Sequence, residues 1–273
     1  MSTSTNEPSS AAARGQVTKS AADVYHEFFV PALFGQWPDR VLDQLDVATG
    51  DQILDVGCGT GILAQAAARR SGDPETITGV DVNPGMLDVA RRGPTSIAWV
   101  EGTAENLPFD DNTFDAVASQ FALMFFTNRV AAVREMARVL RPGGSLAVAT
   151  WAELDTSPGY AAMVDLLDRL IGPEAGNALR APFVIGTAEE LRSTLGSAFA
   201  QIEVTQHPGV ARFASIDAWV HTDVRGWTLA DMIDDQQFEH LLQSARTELN
   251  EFVQPDGSVL FPAPALIGVA RAT

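Results

Sequence analysis

Three glycines follow a short apolar segment at residues 53–61, which read Ile-Leu-Asp-Val-Gly-Cys-Gly-Thr-Gly. Apolar, helix-forming residues begin directly afterwards with Ile62 and Leu63. A strand, a glycine turn and a helix in this order form the first half of a βαβ unit. Glycines let a ligand approach the backbone closely, and a helix start presents N–H groups and partial positive charge. The segment therefore predicts a site for an anionic or strongly polar ligand.

The spacing of these glycines separates two ligand classes. The dinucleotide-binding fingerprint is G-x-G-x-x-G. Counted from Gly57, its third glycine would fall at Ile62, whereas the chain has G-x-G-x-G preceded by Asp55. An NAD-dependent oxidoreductase is therefore disfavoured and stays only as a third interpretation. Taken alone, the loop is also compatible with a tight turn that binds nothing.

An acid stands at the end of the second predicted strand, residues 76–80. Asp81 comes directly after this strand, where a carboxylate can accept two hydrogen bonds from the vicinal hydroxyls of a ribose. Asp81 could instead cap the next helix. Asn83 is the better cap because a proline follows it. We therefore predict that Asp81 faces a ligand.

Polar residues also follow the third and fourth predicted strands. Ala104 and Glu105 lie in a polar loop after the third strand and could offer a backbone amide and a carboxylate to an adenine edge. An ordinary loop is the alternative there. Ser119 and Gln120 stand where the fourth strand leaves the sheet. Because parallel sheets bind ligands at the carboxyl ends of their strands, we expect both near the reacting centre.

The elements needed to position these residues alternate regularly between residues 53 and 150. Five strand patterns alternate with four helix patterns, which predicts an α/β fold with a doubly wound parallel sheet. An aromatic-rich helical segment precedes this core, with a break near Pro31. After Trp151 the patterns are mostly helical, with a sixth strand at 202–204 and a last one at 265–270.

Composition limits the partners. The chain has 273 residues and a formal net charge of −17, which argues against nucleic acid or an anionic membrane surface. Cys58 is the single cysteine, so no internal disulfide can form, and a cytoplasmic location is compatible with that. No apolar run approaches the ~20 residues of a membrane span, and we identify no secretory signal.

Five short motifs in order, at the expected spacing, resemble the class I S-adenosyl-L-methionine (SAM)-dependent methyltransferases of the group related to ubiquinone and menaquinone C-methyltransferases. The resemblance covers about residues 50–150. It implies a seven-stranded, mostly parallel, Rossmann-like methyltransferase fold, with an antiparallel last strand between strands five and six. The motifs that carry it are 54–61, 79–81, 102–109, 114–115 and 138–144.

The resemblance also implies which residues hold SAM. Asp55 would lie beside the amino group and Asp81 would hold the ribose hydroxyls. Val82 and Met86 would pack on adenine, and Gln120 would lie under the sulfonium region. With the residues at the strand ends included, the predicted cofactor contacts are Asp55, Gly57, Cys58, Gly59, Asp81, Val82, Met86, Thr103, Ala104, Glu105, Ser119 and Gln120.

The function expected from this resemblance is SAM-dependent transfer of a methyl group to a small, partly apolar molecule by in-line displacement. A base is needed only if the nucleophile must lose a proton; His221 and His26 are the candidates. No metal site is expected. The alternative is a protein that binds SAM without methylating, as a pericyclic or isomerising catalyst or a ligand-responsive partner. A homodimer is left open.

These expectations divide the chain into four parts. The aromatic residues of the second part either cover the cofactor or simply pack on the core, and both interpretations stay open. The predicted parts are a disordered tail at 1–17, a helical N-terminal flap at 18–48, a SAM-binding core at 49–151, and remaining core strands with a helical substrate lid at 152–273.

Overall fold

The computed structural model describes residues 19–93, 96–225 and 228–273, so the predicted tail at 1–17 lies outside it. In the described residues, nine strands form a seven-stranded sheet and a separate two-stranded ribbon. The strands are β1 Ile53–Val56, β2 Ile77–Asp81, β3 Ala98–Glu101, β4 Phe114–Gln120, β5 Leu140–Trp151, β6 Ile202–His207, β7 Val210–Phe213, β8 Val259–Pro262 and β9 Ala265–Arg271.

The large sheet has the order β3-β2-β1-β4-β5-β9-β6. β9 runs antiparallel to both of its neighbours, and the pairs on the β3 side of β5 are parallel. This confirms the predicted seven-stranded sheet with its antiparallel last strand between strands five and six. β1 pairs with β2 on one side and β4 on the other, so the chain changes direction across the sheet there. Such switch points form a ligand crevice at the carboxyl ends of the strands.

Helices flank this sheet. α4 follows the glycine turn and contacts β1 and β2. α6 contacts β5, and α9 contacts β6 and β9. α6 and α9 also contact each other. No helix in the described part of the chain is long and apolar enough to cross a membrane. The helices are α1 Lys19–Val24, α2 Val30–Ala32, α3 Pro38–Leu42, α4 Ile62–Ser71, α5 Pro84–Ala90, α6 Arg129–Val139, α7 Pro158–Leu170, α8 Pro173–Arg180, α9 Ala188–Leu195, α10 Ile216–Arg225 and α11 Asp235–Glu248.

The N-terminal segment differs in detail from the prediction of a break near Pro31. The chain stays helical through this proline, because a π-helical turn at Tyr25–Phe29 joins α1 to α2 and Pro31 falls in the first turn of α2. Pro31 thus lies directly after the π-helical turn, and π-helical turns shift the hydrogen-bond pattern of a helix. The interruption comes at Leu33, whose φ of −133° leaves the helical region. The aromatic side chains that follow can then turn toward the sheet.

The region after β5 is mostly helical, as predicted, but it also contains the ribbon of β7 and β8, which was not predicted. The Gln36 amide holds this ribbon to the N-terminal segment. Its Nε2 donates to the Val210 carbonyl at 2.7 Å, and the Val210 N–H donates to its Oε1 at 3.2 Å. One side chain thus pairs with the edge of β7 as a neighbouring strand would.

A buried carboxyl lies in α10, among the aromatic residues that fill the helical region. Asp223 is 2% exposed, and its Oδ2 accepts a hydrogen bond from Trp219 Nε1 at 2.7 Å. Burial raises the pKa of Asp223 to about 8, and the Trp219 bond opposes this weakly. The nearby Tyr160 hydroxyl also has a raised pKa, first because of burial and then because of the Asp223 charge.

The Asp223 carboxyl is expected to make the stability of the protein fall as pH rises. Its folded pKa of about 8 lies above the unfolded value of 3.8, so the folded state holds the proton more tightly between these values. The free energy of unfolding then declines across this window by up to about 1.4 kcal/mol per pH unit. The free energy of unfolding, measured by calorimetry at several pH values from about 5 to about 9, checks this. Asp223→Asn should flatten the slope; parallel profiles for the two proteins would contradict the assignment.

Candidate functional site

A cavity of about 220 Å³ opens at the carboxyl ends of β1, β2 and β4. Its walls come from the glycine turn, from the ends of these strands and from the N-terminal segment. Every predicted cofactor contact except Ser119 lines it. These lining residues are Asp55, Gly57, Cys58, Gly59, Asp81, Val82, Met86, Thr103, Ala104, Glu105 and Gln120.

Asp55, in β1, places a carboxylate in this wall although it is only 2% exposed. Its Oδ2 accepts from the Ala64 N–H at 3.0 Å and so caps the start of α4. Its Oδ1 is buried and has no hydrogen-bond partner among the described residues. Burial raises the pKa of Asp55 to about 7, opposed by the Ala64 bond and assisted by the Asp81 charge. A buried acceptor oxygen of this kind fits a cationic donor such as an ammonium group.

Asp81 ends β2 with both carboxylate oxygens anchored. Oδ2 accepts from the Gly59 N–H at 2.8 Å and Oδ1 from the Asn83 N–H at 2.8 Å. Burial raises the pKa of Asp81, and the backbone hydrogen bonds oppose this. Each oxygen keeps a further lone pair, so a vicinal diol can bind to the fixed carboxylate. Asn83 caps α5 by accepting from Gly85 and Met86, as predicted.

The glycine turn uses its N–H groups for its own structure. Those of Gly57 and Cys58 donate to the Val80 carbonyl at 2.8 and 3.0 Å, which ties the turn to β2. Gly59 and Gly61 have φ of +53° and +84°, values that side chains with a Cβ rarely adopt. A Cβ on Gly59 would meet nothing within 4 Å. The turn is thus a fixed cradle open toward the cavity at Gly59.

Aromatic rings from the N-terminal segment cover the cavity. Tyr25 and Phe34 both line it and stack with ring centroids 5.2 Å apart. Phe34 also packs on Phe121, which follows β4, at 5.6 Å. Burial raises the pKa of the Tyr25 hydroxyl, and the charges of Asp81 and Asp55 add to the effect. A neutral tyrosine therefore faces the two carboxylates.

At the end of β4, Gln120 lines the cavity and Ser119 is buried away from it. The Gln120 side chain lines the cavity, and its buried Oε1 has no hydrogen-bond partner among the described residues. Ser119 is 0% exposed and its hydroxyl donates to the Val56 carbonyl at 2.8 Å. Adjacent strand residues point to opposite faces, so the Ser119 side chain bonds to the neighbouring strand while that of Gln120 lines the cavity, and a cofactor contact at Ser119 stays a prediction. Phe121 follows with φ +54° and stacks on Trp151 at 3.9 Å.

Neither predicted catalytic histidine lines the cavity. His221 is exposed on α10, and its ring contacts those of Phe28 and Phe238 at 6.2 and 6.4 Å. His26 lies in the π-helical turn, where Nδ1 is 3.0 Å from the hydroxyl of Thr60. Thr60 does line the cavity, so His26 reaches it through one side chain. The aromatic Trp227, expected in the lid, lies outside the described residues.

Other lining residues were not predicted as contacts. Most of them lie within a few positions of a predicted residue, so they could have been found by extending each motif by a few residues. The residues after β4 are an exception, because the run 122–126 is apolar throughout and such a run usually packs in a core. The additional residues are Thr60, Ile62, Leu63, Val80, Asn83, Gly102, Phe121, Ala122, Phe125, Phe126 and Thr127, together with Tyr25 and Phe34.

The bond between His26 and Thr60 is expected to hold the N-terminal segment over the cavity. His26→Ala should weaken binding of a cavity ligand about fivefold, because a neutral hydrogen bond contributes about 1 kcal/mol. Thr60→Val removes the same bond from the other side with little change in volume. The test is a double-mutant cycle on ligand affinity, measured by calorimetry with S-adenosyl-L-homocysteine. A coupling energy of about 1 kcal/mol supports the bond, and strictly additive effects would contradict it.

Known proteins resemble the chain in the same region. Residues 54–148 match a family described as "Methyltransferase domain". A ubiquinone/menaquinone biosynthesis C-methyltransferase of Chromobacterium violaceum is 37% identical over 151 residues, which cover 52% of this chain and 60% of that protein. The chain thus spans about three fifths of the length of this relative.

Solved structures share the fold at lower identity. Phosphoethanolamine N-methyltransferase 2 of Haemonchus contortus, solved with S-adenosyl-L-methionine, has a TM-score of 0.63 at 16% identity, covering 99% of this chain and 61% of that one. The [4+2]-cyclase SpnF has a TM-score of 0.53 at 21% identity, covering 87% and 81%. At these identities the likeness concerns the fold alone. Residues 54–148 thus match the methyltransferase domain family, within a chain whose fold is shared by solved methyltransferase structures.

Proposed function

We propose that the protein is a SAM-dependent methyltransferase acting on a small, partly apolar molecule. The observation that carries the proposal is the pair of carboxylates near the ends of β1 and β2, of which that of Asp55 is buried and that of Asp81 half-buried. Asp55 leaves one buried oxygen free for a cationic donor, and Asp81 keeps lone pairs on both fixed oxygens. An α-ammonium group and a ribose diol on one ligand match these two acceptors.

The remaining walls fit the rest of such a ligand. Val82 and Met86 offer apolar surface for a purine, and the Glu105 carboxylate with the Ala104 backbone lies at the loop after β3. Glu105 is partly engaged, since it accepts from the Asn128 N–H at 3.2 Å. We therefore propose that adenine lies between β2 and this loop, with the methionine part toward Asp55.

Bound SAM would supply an activated methyl group, whose carbon–sulfur bond breaks as the bond to the acceptor forms, leaving S-adenosyl-L-homocysteine. The chain contributes alignment and exclusion of water. Tyr25 and Phe34 cover the cavity, and Phe121 is held by its stack on Trp151. A proton on the acceptor atom would leave to solvent or to a neighbouring base. His26 acts in positioning, and we assign no role at the reacting centre to exposed His221.

The proposal is tested by two measurements on the purified chain. Calorimetry should show one site for S-adenosyl-L-homocysteine. An assay with methyl-labelled SAM and a panel of small acceptors should then show label in an acceptor and stoichiometric S-adenosyl-L-homocysteine. Absence of any binding would refute the proposal. Binding with conversion of a substrate but no methyl transfer would favour the alternative, a SAM-binding catalyst of another reaction.

Charge and fold support the wider assignments that we propose with this function. A net charge of −17 favours a small-molecule acceptor over nucleic acid. The single cysteine suits a reducing cytoplasm. We keep the division into a flap at 18–48, a SAM-binding core at 49–151, and core strands with a substrate lid at 152–273. Whether two chains associate is answered by light scattering of the purified protein.

A further inference from the structure

A groove adjoins the cavity, and its lining contains a cation. The turn after β4, residues 124–127, lines it together with Arg129, at the start of α6, and with Ala181 and Val184. Residues 125–127 line both the groove and the cavity. The two spaces therefore lie side by side, on either side of this turn.

The guanidinium of Arg129 is half-buried and incompletely bonded. Its Nη2 donates to the Met124 carbonyl at 2.9 Å, and its buried Nε has no hydrogen-bond partner among the described residues. Of the four other half-buried arginines in the described residues, Arg138, Arg180 and Arg225 each bind a carboxylate. Arg40 donates to the Pro208 carbonyl and lies over the Trp37 ring, whereas Arg129 has no ion pair and no aromatic ring contact among the described residues. A buried donor left unbonded costs about 1–3 kcal/mol, so an anionic ligand would gain from this group.

The charge of Arg129 acts on the Glu190 carboxylate, which is already hydrogen-bonded elsewhere. The Glu190 carboxylate accepts from the backbone N–H of Thr187 at 3.0 Å and from its hydroxyl at 2.9 Å. These bonds are the main reason that the pKa of Glu190 is lowered, and the charge of Arg129 adds to them weakly. Glu190 is thus held at the start of α9 as a helix cap, which leaves the guanidinium to a ligand.

The charges of the groove and the cavity have opposite signs. The charged side chains that line the cavity in the described residues are Asp55, Asp81 and Glu105, all acidic. The charged side chain of the groove is Arg129, and the rest of its wall is mainly apolar, with Val184 46% exposed. A cationic cofactor suits the first and an anion with an apolar body suits the second.

We propose that the groove binds the methyl acceptor, and that this acceptor is an amphipathic organic acid. Its acidic group pairs with Arg129, and its apolar body lies on Phe126 and Val184 beside the cavity. This inference rests on the proposed methyltransferase function, since it assigns a chemical class to the acceptor of that reaction.

The test uses 2-naphthoate and its uncharged counterpart 2-naphthol, titrated by calorimetry into protein saturated with S-adenosyl-L-homocysteine. 2-Naphthoate is expected to bind and to lose about tenfold in affinity with Arg129→Gln, as one charge-assisted bond is removed. 2-Naphthol is expected to bind both proteins equally. Arg134→Gln removes the same charge from an exposed position on α6 and should change neither affinity. Val184→Asp, which adds an anion to the groove, should weaken 2-naphthoate selectively.

Three results would overturn the inference. They are equal 2-naphthoate affinity in the wild type and Arg129→Gln, an equal loss with Arg134→Gln, and no binding of either probe to protein that binds S-adenosyl-L-homocysteine. Equal melting temperatures of the variants exclude misfolding as the cause of a loss. Failure to bind S-adenosyl-L-homocysteine at all refutes the underlying function, and is seen before any probe is added.

Discussion

Asp81→Ala is expected to weaken the binding of S-adenosyl-L-homocysteine about 100-fold, as measured by calorimetry. The carboxylate is half-buried and fixed by the N–H groups of Gly59 and Asn83, with lone pairs left on both oxygens. Each of two charge-assisted hydrogen bonds to a ribose diol contributes about 1.5–3 kcal/mol. The two contributions do not simply add, because the bonds share one carboxylate. A loss of about 2.7 kcal/mol corresponds to the expected factor of 100.

A ligand lacking one hydroxyl separates this contact from a general disturbance of the loop. The 2′-deoxy analogue of S-adenosyl-L-homocysteine should bind the wild type at least about tenfold more weakly than the parent compound. In Asp81→Ala this preference should disappear. A variant that loses affinity for both ligands while keeping the same ratio would show that Asp81 only supports the glycine turn.

Gly61→Ala is expected to lower the free energy of unfolding by about 2–4 kcal/mol, measured by urea denaturation. Its φ of +84° is unfavourable for alanine by about 1–2 kcal/mol. The added Cβ would also lie 2.4 Å from Trp99 Cη2, and overpacking of this kind costs about 1–3 kcal/mol. The indole of Trp99 is packed against the turn and would have to move.

Gly59→Ala is the matched control, since it adds the same atom two residues earlier. Its Cβ would meet no heavy atom within 4 Å, so only the backbone term of about 1–2 kcal/mol applies to stability. Gly59 lines the cavity, so this variant should lose ligand affinity more than Gly61→Ala does. Equal stability losses in the two variants would contradict the role assigned to Trp99.

Local patterns predicted much of the fold because the relevant interactions are local. A capping box forms at Thr187 and Glu190, three residues apart, with each side chain bonded to the other's backbone N–H. Asn83 caps α5, also as expected. The alternation of strands and helices predicted a parallel sheet, since parallel strands need crossover connections. The place of the antiparallel last strand was implied by the family resemblance.

Features that depend on distant partners could not be read in this way. The β7–β8 ribbon pairs Val210–Phe213 with Val259–Pro262, and α10 and α11 lie between the two strands in the chain. No short hairpin turn therefore marks this pairing in the sequence. The covering of the cavity by Tyr25 depends on a π-helical turn, which no local pattern marks. The contact between His26 and Thr60 depends on the same turn, so the sequence could name His26 as a candidate base but could not place it.

The site was predictable where a motif fixes the direction of a side chain. Asp55 and Asp81 end up on one cavity because β1 and β2 are parallel neighbours. At the end of β4 the sequence predicted both Ser119 and Gln120 as contacts. Only the direction in which each side chain leaves the strand distinguishes the two residues. The backbone of Phe121, with its positive φ, is held by stacking on Trp151, a contact between two strand ends that the sequence does not specify.

In the proposed function one ligand, SAM, is held by the carboxylates of Asp55 and Asp81 together. A crystal structure with S-adenosyl-L-homocysteine tests this most directly. We predict that the ribose hydroxyls bond to the Asp81 carboxylate and that the amino group lies within hydrogen-bond distance of Asp55 Oδ1. A ligand bound elsewhere, or one whose ribose and amino group leave both carboxylates without contact, would contradict the account.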